Sequence, residues 1–205
     1  MTPWTTRLCC AAATVALLAA TGCTATGGNA TTEPSQAGFL PAARAYCMEK
    51  GGTVQERQPM YGTNNARESW VPLGEPVEVC QFRTTDPSAS QINLDLVTLY
   101  STHPTLAALA YLAKAPVPSD GSVNPAYLLC VSLGGGSAYG TGAAGGGLYL
   151  DNAGEGELDV VAPCTFADGS MIDDWGIAYY SNGTIRGKDL STVFRFDVHA
   201  VPRVF

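Results

Sequence analysis

The sequence predicts an α+β fold: two similar helix–strand–strand–helix units packed as one disulfide-stapled domain or a tight pair. Three observations carry this. First, Cys47-Met-Glu-Lys-Gly51-Gly52 and Cys130-Val-Ser-Leu-Gly134-Gly135 share the pattern C-x-x-x-G-G, each preceded by Pro-Ala. Second, each is followed, 33 or 34 residues after its cysteine, by C-x-F: Cys80-Gln-Phe82 and Cys164-Thr-Phe166. Third, Ser90-Gln-Ile92 matches Ser170-Met-Ile172, and Tyr100-Ser101 matches Tyr180-Ser181. Anchors in one order predict two units, 39–118 and 119–205. A solenoid would need three or more repeats.

Each element has a local reason. Pro41 to Lys50 joins helix formers to a stop at Gly51-Gly52, with proline early and glycine just past the end. Tyr127 to Leu133 repeats the pattern. Thr53 to Arg57 reads as a short strand. Val77 to Phe82 alternates with period two, so Val77, Val79 and Gln81 face away from Glu78, Cys80 and Phe82. Its counterpart is Leu158 to Phe166. In the second unit Asp168-Gly169-Ser170 provides a cap. Met171, Ile172, Trp175, Ala178 and Tyr179 then form one apolar helical stripe, ended by Asn182-Gly183. Ile92 to Tyr100 also alternates, but correspondence with the second unit makes it a helix. Leu106 to Lys114 is a further helix. Phe194 to His199 alternates as a closing strand.

The start of the chain is an address. Arg7 and the amino terminus are positive, Leu8 to Ala20 is apolar, and Ala20-Thr21-Gly22-Cys23 follows. Small residues before a cysteine at the end of such a run resemble a bacterial lipobox. There Cys23 takes a diacylglyceryl group and residues 1–22 are removed as a signal peptide. The usual leucine three residues before the cysteine is Ala20 here. An ordinary secretory signal is the alternative, and both export the chain. Residues 23–38, rich in Thr, Gly and Ser with no aliphatic side chain larger than Ala, form a tether. Thr24, rather than Asp, suits the periplasmic face of the outer membrane if the cell has two membranes. The sequons at Asn29 and Asn182 carry little weight in such a protein.

Export leaves Cys47, Cys80, Cys130 and Cys164 in an oxidising compartment, and an even number favours two disulfides. The intervals of 33, 50 and 34 residues, with no nearby histidine, do not suit zinc. Cys47–Cys80 and Cys130–Cys164 is the favoured pairing, with pairing across the units as its competitor.

The chain has 11 Lys and Arg against 18 Asp and Glu, a net charge of -7. Scattered cations on an acidic chain do not make a nucleic-acid face. Gly140-Thr-Gly142-Ala-Ala-Gly145 matches G-x-G-x-x-G but lacks a leading strand, a following helix and a lysine, so no nucleotide is expected. Asp173 and Asp174 are adjacent and would project about 100° apart on a helix. They suit the first turn, where acids favour the macrodipole. His103 and His199 are the only histidines, and no G-x-S-x-G elbow accompanies them. No catalytic residue, cofactor or metal is therefore expected. Trp175 reads as a core anchor, with Trp175, Tyr180 and Arg186 as the alternative binding candidates.

The run from Cys164-Thr-Phe-Ala-Asp-Gly-Ser to Trp175, with Asn124-Pro-Ala before Cys130, resembles a family of small bacterial envelope lipoproteins of unknown function, often labelled haemolysins. The second unit carries their N-P-A-x-x-x-C-x-x-x-G-G and C-x-F-x-D-G-S motifs. The first keeps Cys47, Gly51, Gly52, Cys80 and Phe82 but lacks D-G-S and the tryptophan, as a degenerate copy. The family's further cysteine after D-G-S is replaced near Ile172, so a bridge through it is absent. The resemblance implies little about activity; the lipobox address and the lack of a catalytic constellation lead instead to the expectation of a non-catalytic, lipid-anchored binding or interaction module of the cell envelope, with the membrane and an envelope protein as partners. The alternative is an inhibitor of an envelope or secreted hydrolase. An inhibitor should present a rigid exposed loop near a disulfide, such as Gln58–Pro76.

Overall fold

Each C-x-x-x-G-G motif ends a helix and turns the chain onto a sheet. Helix α1 (Gln36–Glu49) stops at Gly51, whose φ of +84° is a left-handed helix end. Later in the chain, the helix Pro125–Ser132 stops at Gly134, φ +86°. The next glycine in each motif has a different task. A Cβ on Gly52 would lie 2.5 Å from Cys80 Sγ, and one on Gly135 2.4 Å from Cys164 Sγ. Only hydrogen fits beside the two bridges. These are Cys47–Cys80 and Cys130–Cys164, with Cα separations of 5.8 and 5.7 Å. Pairing inside each half is thus the observed connectivity.

This computed structural model describes residues 36–84, 90–118, 124–136, 139, 142–154, 157–181 and 183–201. They lie within one compact unit, Pro34–Phe205. The signal segment, Cys23, the sequon asparagines Asn29 and Asn182 and part of the 140–145 glycine run lie outside the described residues.

After α1 come β1 (Thr53–Tyr61), β2 (Val71–Pro72), β3 (Val77–Arg83), β4 (Gln91–Asp95), α2 (Leu96–Tyr100) and α3 (Leu106–Leu112). The second half supplies α4 (Pro125–Ser132), β5 (Gly146–Tyr149), β6 (Val160–Val161), β7 (Pro163–Thr165), β8 (Met171–Asp173) and α5 (Asp174–Ala178). A hairpin of β9 (Tyr180–Ser181) and β10 (Thr184–Ile185) follows. The main sheet runs β6-β5-β1-β3-β4-β8-β7, with β2 on β1, and its pairs are antiparallel. The halves meet where Leu94 of β4 pairs with Ile172 of β8. Register repeats between them. Thr53 pairs with Gln81, one residue past Cys80, and Gly136 pairs with Thr165, one past Cys164.

Strand alternation sorts side chains onto two faces. Cys80, Phe82, Ile92, Leu94, Cys164 and Ile172 join the helices in the larger core, with Leu99, Tyr111, Leu129 and Ile177. Val79 and Met171 point the other way and pack with Leu148 and Val161. Closing a loop of this size with a disulfide stabilises by roughly 3–4 kcal/mol in the chain-entropy model, which matters for a small core.

Several expectations are corrected. Helix α1 begins at Gln36, so the tether does not extend to 38, and Pro41 lies inside the helix. The added turn sets Phe39 edge-on to Tyr100, ring centres 5.4 Å apart. Residues 91–95 and 171–173 are strands, and each helix begins only at the following residue. The true correspondence is Asp95 with Asp173 and Leu94 with Ile172, two residues out of step with matching Ile92 to Ile172. A slip of two keeps the same face inward, so the apolar pattern conceals it. The stretch 158–166 is broken into β6 and β7. Phe194 and Phe196 are buried and stacked at 5.2 Å, but no strand forms there, and Val198–Ala200 is a 3-10 turn. Their alternation records burial without a ladder.

Candidate binding surface

Helix α5 is only five residues long, and its phase decides what it presents. Asp173 caps it, accepting from Gly176 N–H at 2.6 Å. A Cβ on Gly176 would meet Ile92 Cγ2 at 2.8 Å, so this side of the helix lies against β4. Ile177 and Ala178 are buried with it. Trp175 is turned outward and is 40% exposed. The expected core anchor is therefore a surface residue. The helical stripe that would have buried it counted Ile172, which belongs to β8.

Trp175 lies 6.3 Å from the Tyr179 ring at a 36° tilt. The hairpin β9–β10 brings the chain back, and Arg186 N–H donates to Tyr179 carbonyl at 2.7 Å. The Arg186 guanidinium then sits 4.9 Å over the Tyr179 ring. Burial raises the Tyr179 hydroxyl pKa, with Arg186 opposing. Ile185 beside it is 41% exposed. Tyr180 goes the other way: it is buried, 4.8 Å from Tyr111, with Lys114 Nζ 4.7 Å over its ring. Of the three residues singled out from sequence, Trp175 and Arg186 meet through Tyr179, while Tyr180 belongs to the core.

Next to this surface lie two buried acids. Asp173 accepts from Asn93 N–H, from Asn93 Nδ2 at 3.2 Å and from Gly176 N–H. Burial nevertheless pushes its pKa up to about 7. Asp174 accepts from Asn124 Nδ2 at 3.0 Å and Trp175 N–H at 2.7 Å, and burial pushes it up to about 6. They do occupy the start of a helix, as expected, but inside the protein. Asp173 also ends a polar line across four strands. Asn93 Oδ1 accepts from Gln81 Nε2 at 3.4 Å, Gln81 Nε2 also donates to Gln55 Oε1 at 3.1 Å, and Arg57 Nε donates to the same oxygen at 3.1 Å. Arg57 is 0% exposed. Its guanidinium donates to the carbonyls of Leu148 and Leu158, and burial lowers its pKa. A pKa near neutrality suits acid–base chemistry, but the Asp173 oxygens are occupied by structural donors. Sequence alone does not reveal this line. Its signal was three amides, Gln55, Gln81 and Asn93, on inward strand positions.

The Asp168-Gly169-Ser170 motif does not cap the helix that follows it. Asp168 Oδ2 accepts from Leu106 N–H at 2.8 Å, and Ser170 Oγ accepts from Ala107 N–H at 2.9 Å. It therefore supplements the Thr105 cap of α3, a helix of the first half, by accepting from the next two N–H groups. Burial opposes ionisation of Asp168, but hydrogen bonds from Leu106 and Ser170 outweigh it and hold the carboxyl below its ordinary range.

A second concave surface lies on the arm made by β1, β2 and the end of β5. It is a groove of about 290 Å³ lined by Met60, Pro72, Pro76 and Tyr149, with Glu56, Gln58 and Asp151. The neighbouring loop 62–70 is braced. Gly62 and Asn64 N–H donate to Gly145 and Ala144 carbonyls at 3.0 Å, and Trp70 Nε1 donates to Asn65 carbonyl at 3.1 Å. Arg67 lies 4.7 Å over the Tyr149 ring and 5.5 Å over that of Trp70.

Among the described residues there is no cluster of three metal-ligating side chains, and no helix is long and apolar enough to cross a membrane. No family model, curated protein or solved structure matches the chain.

Proposed function

We propose that the protein is a non-catalytic lipoprotein of the bacterial cell envelope, anchored through acyl chains on Cys23 and acting as a binding module for an envelope protein. The export signal with its lipobox supports the address, as does the motif resemblance to envelope lipoproteins. The two disulfides fit an oxidising compartment. The observation that carries the binding role is the exposure of Trp175 beside Tyr179 and Arg186. Trp, Tyr and Arg dominate the energetic centres of protein interfaces. Here they stand on a short helix and a hairpin fixed to a stapled core. The test is capture from the organism's own envelope fraction by parent and Trp175→Ala protein. A partner held by the parent and lost by the variant is expected; identical capture by both refutes this surface. Mass spectrometry of the mature N-terminus tests the anchor, because two or three chains hold firmly where one does not. No acyl mass on Cys23 refutes it.

A second reading, an inhibitor of an envelope or secreted hydrolase, is favoured by one observation. The exposed loop 62–70 is held by the backbone and ring contacts above. It stands at the far end of β1 from Val54, which pairs with the disulfide residue Cys80, so the bracing comes instead from Ala144 and Gly145, just before β5, and from the Tyr149 ring. Hydrolase assays of envelope extract with and without the protein test it. Inhibition relieved by Trp70→Ala supports this reading, and unchanged rates oppose it.

A further inference from the structure

We infer that the polar face of the main sheet beneath residues 157–159 is a further binding site, independent of the Trp175 surface, which takes a small organic carboxylate in competition with Glu157. Alternation puts Gln55 and Arg57 of β1, Gln81 of β3, and Gln91 and Asn93 of β4 on the side away from the helices. Arg57, Gln81, Gln91 and Asn93 are buried there. What covers them is thin. Leu158 is fastened by its backbone at both ends: Gln91 Oε1 accepts from its N–H at 3.2 Å, and Arg57 Nη2 donates to its carbonyl at 3.2 Å. Its side chain is exposed, and neither Glu157 nor Asp159 is buried. Polar contacts rather than apolar packing therefore hold this segment down, and a polar ligand competes for the same contacts.

Two groups beside Leu158 are left unmatched. Arg57 is fully buried, yet its acceptors are all neutral: Gln55 Oε1 and the carbonyls of Leu148, Leu158 and Asp159. No carboxylate lies within ion-pair distance of it among the described residues. A buried charge is costly without a counter-ion. Gln91 Nε2 is buried and has no hydrogen-bond partner. Its orientation is fixed, because Oε1 serves Leu158, and a buried donor left without an acceptor is costly too. Both groups lack an acceptor, and Arg57 lacks a negative one, so an anion fits and a cation does not. Glu157 shows which anion suits this face. Its carboxylate accepts from Gln55 Nε2 and from Gly154 N–H at 3.0 Å. It is only partly buried, and it serves neither Arg57 nor Gln91 Nε2. A free carboxylate that takes the place of the Leu158 peptide divides its two oxygens between the guanidinium and the amide.

The test is an NMR titration of the purified exported protein, at neutral pH and constant ionic strength, with propionate, its neutral isostere propionamide and inorganic phosphate. Propionate should saturably shift the Gln91 side-chain amide and Arg57 Nε–H signals. Propionamide should bind roughly tenfold more weakly, because it forfeits the charge-assisted hydrogen bonds. Glu157→Gln removes the competing charge and should tighten propionate by about fivefold, the order of one charge interaction near a surface. Trp175→Ala should leave the affinity unchanged, which separates this site from the partner surface. No saturable shift in either the parent or Glu157→Gln overturns the site. Propionamide binding as tightly as propionate, or phosphate binding more tightly, overturns the carboxylate. An unchanged affinity in Glu157→Gln overturns the competition.

Discussion

Asp95 and Asp173 each cap the helix of their own half and hold the strand of the other. Asp95 accepts from Thr98 N–H at 2.6 Å within its half and from Met171 N–H across the junction. Asp173 accepts from Gly176 N–H at 2.6 Å and from Asn93 N–H across it. Met171 and Asn93 each lie two residues before the opposite cap, and the Leu94–Ile172 pair sits between them. The exchange has approximate two-fold symmetry. It gives each carboxylate two tasks and makes the sheet continuous between the halves.

That arrangement predicts how stability follows pH. Burial raises the pKa of Asp95, of Asp173 to about 7 and of Asp174 to about 6. The folded protein therefore binds more protons than the unfolded chain between the ordinary carboxylate range and neutrality. This contribution is complete below the unfolded pKa and is lost as pH rises through about 6 and then about 7. Urea unfolding should show stability falling by on the order of 2–3 kcal/mol from pH 5 to pH 8. Asp173→Asn should lower stability yet flatten that slope. An equally steep slope in the variant would mean that Asp173 does not carry it.

Gly135→Ala should disrupt the second half, because its Cβ would lie 2.4 Å from Cys164 Sγ and 2.9 Å from Cys130 Sγ. Both sulfurs are fixed in a bridge, so the backbone must move. A loss of about 2–3 kcal/mol is expected, as for overpacking of a core. Gly134→Ala meets open space and carries only the φ of +86°, so about 1 kcal/mol is expected. Chemical denaturation of the two variants checks the order.

The cysteine motifs were legible because they are local and repeated. Helix stops, the C-x-F strand and the pairing inside each half follow from the same short patterns. The strand period of β4 does show in the alternation of Ile92 and Leu94, but correspondence with the second unit overrides it. β8 is only three residues long and is followed at once by a five-residue helix, too short for either period to show. Read as helix, Ile172 joins an apolar stripe that carries Trp175 into the core with it. The use of Asp168 is invisible for another reason: its acceptor role lies 62 residues away, at Leu106.

Asp168→Ala should loosen α3 rather than α5. It removes the acceptor for Leu106 N–H and for Ser170 N–H and Oγ. Thr105 still caps α3, so losing this further acceptor at the helix start should cost about 1 kcal/mol. Hydrogen exchange should quicken in Leu106–Leu112 and stay unchanged in Asp174–Ala178. Protection lost in the second segment instead would contradict this assignment.

Trp175 and Tyr180 give the sharpest contrast on one element and its hairpin. Trp175 is 40% exposed and Tyr180 6%. Tyr180→Ala removes a ring packed 4.8 Å from Tyr111, and truncation of a buried aromatic costs roughly 3–5 kcal/mol. Trp175→Ala removes a ring that lies beside Tyr179, itself partly exposed. Its stability change should stay below about 1 kcal/mol, near the range of surface substitutions. The two effects on partner capture should run the other way: Trp175→Ala abolishes it in a folded protein. Urea midpoints of both variants, measured beside capture from the envelope fraction, separate packing from recognition. A Trp175→Ala protein that unfolds as readily as Tyr180→Ala would return Trp175 to the core and remove the basis for this surface.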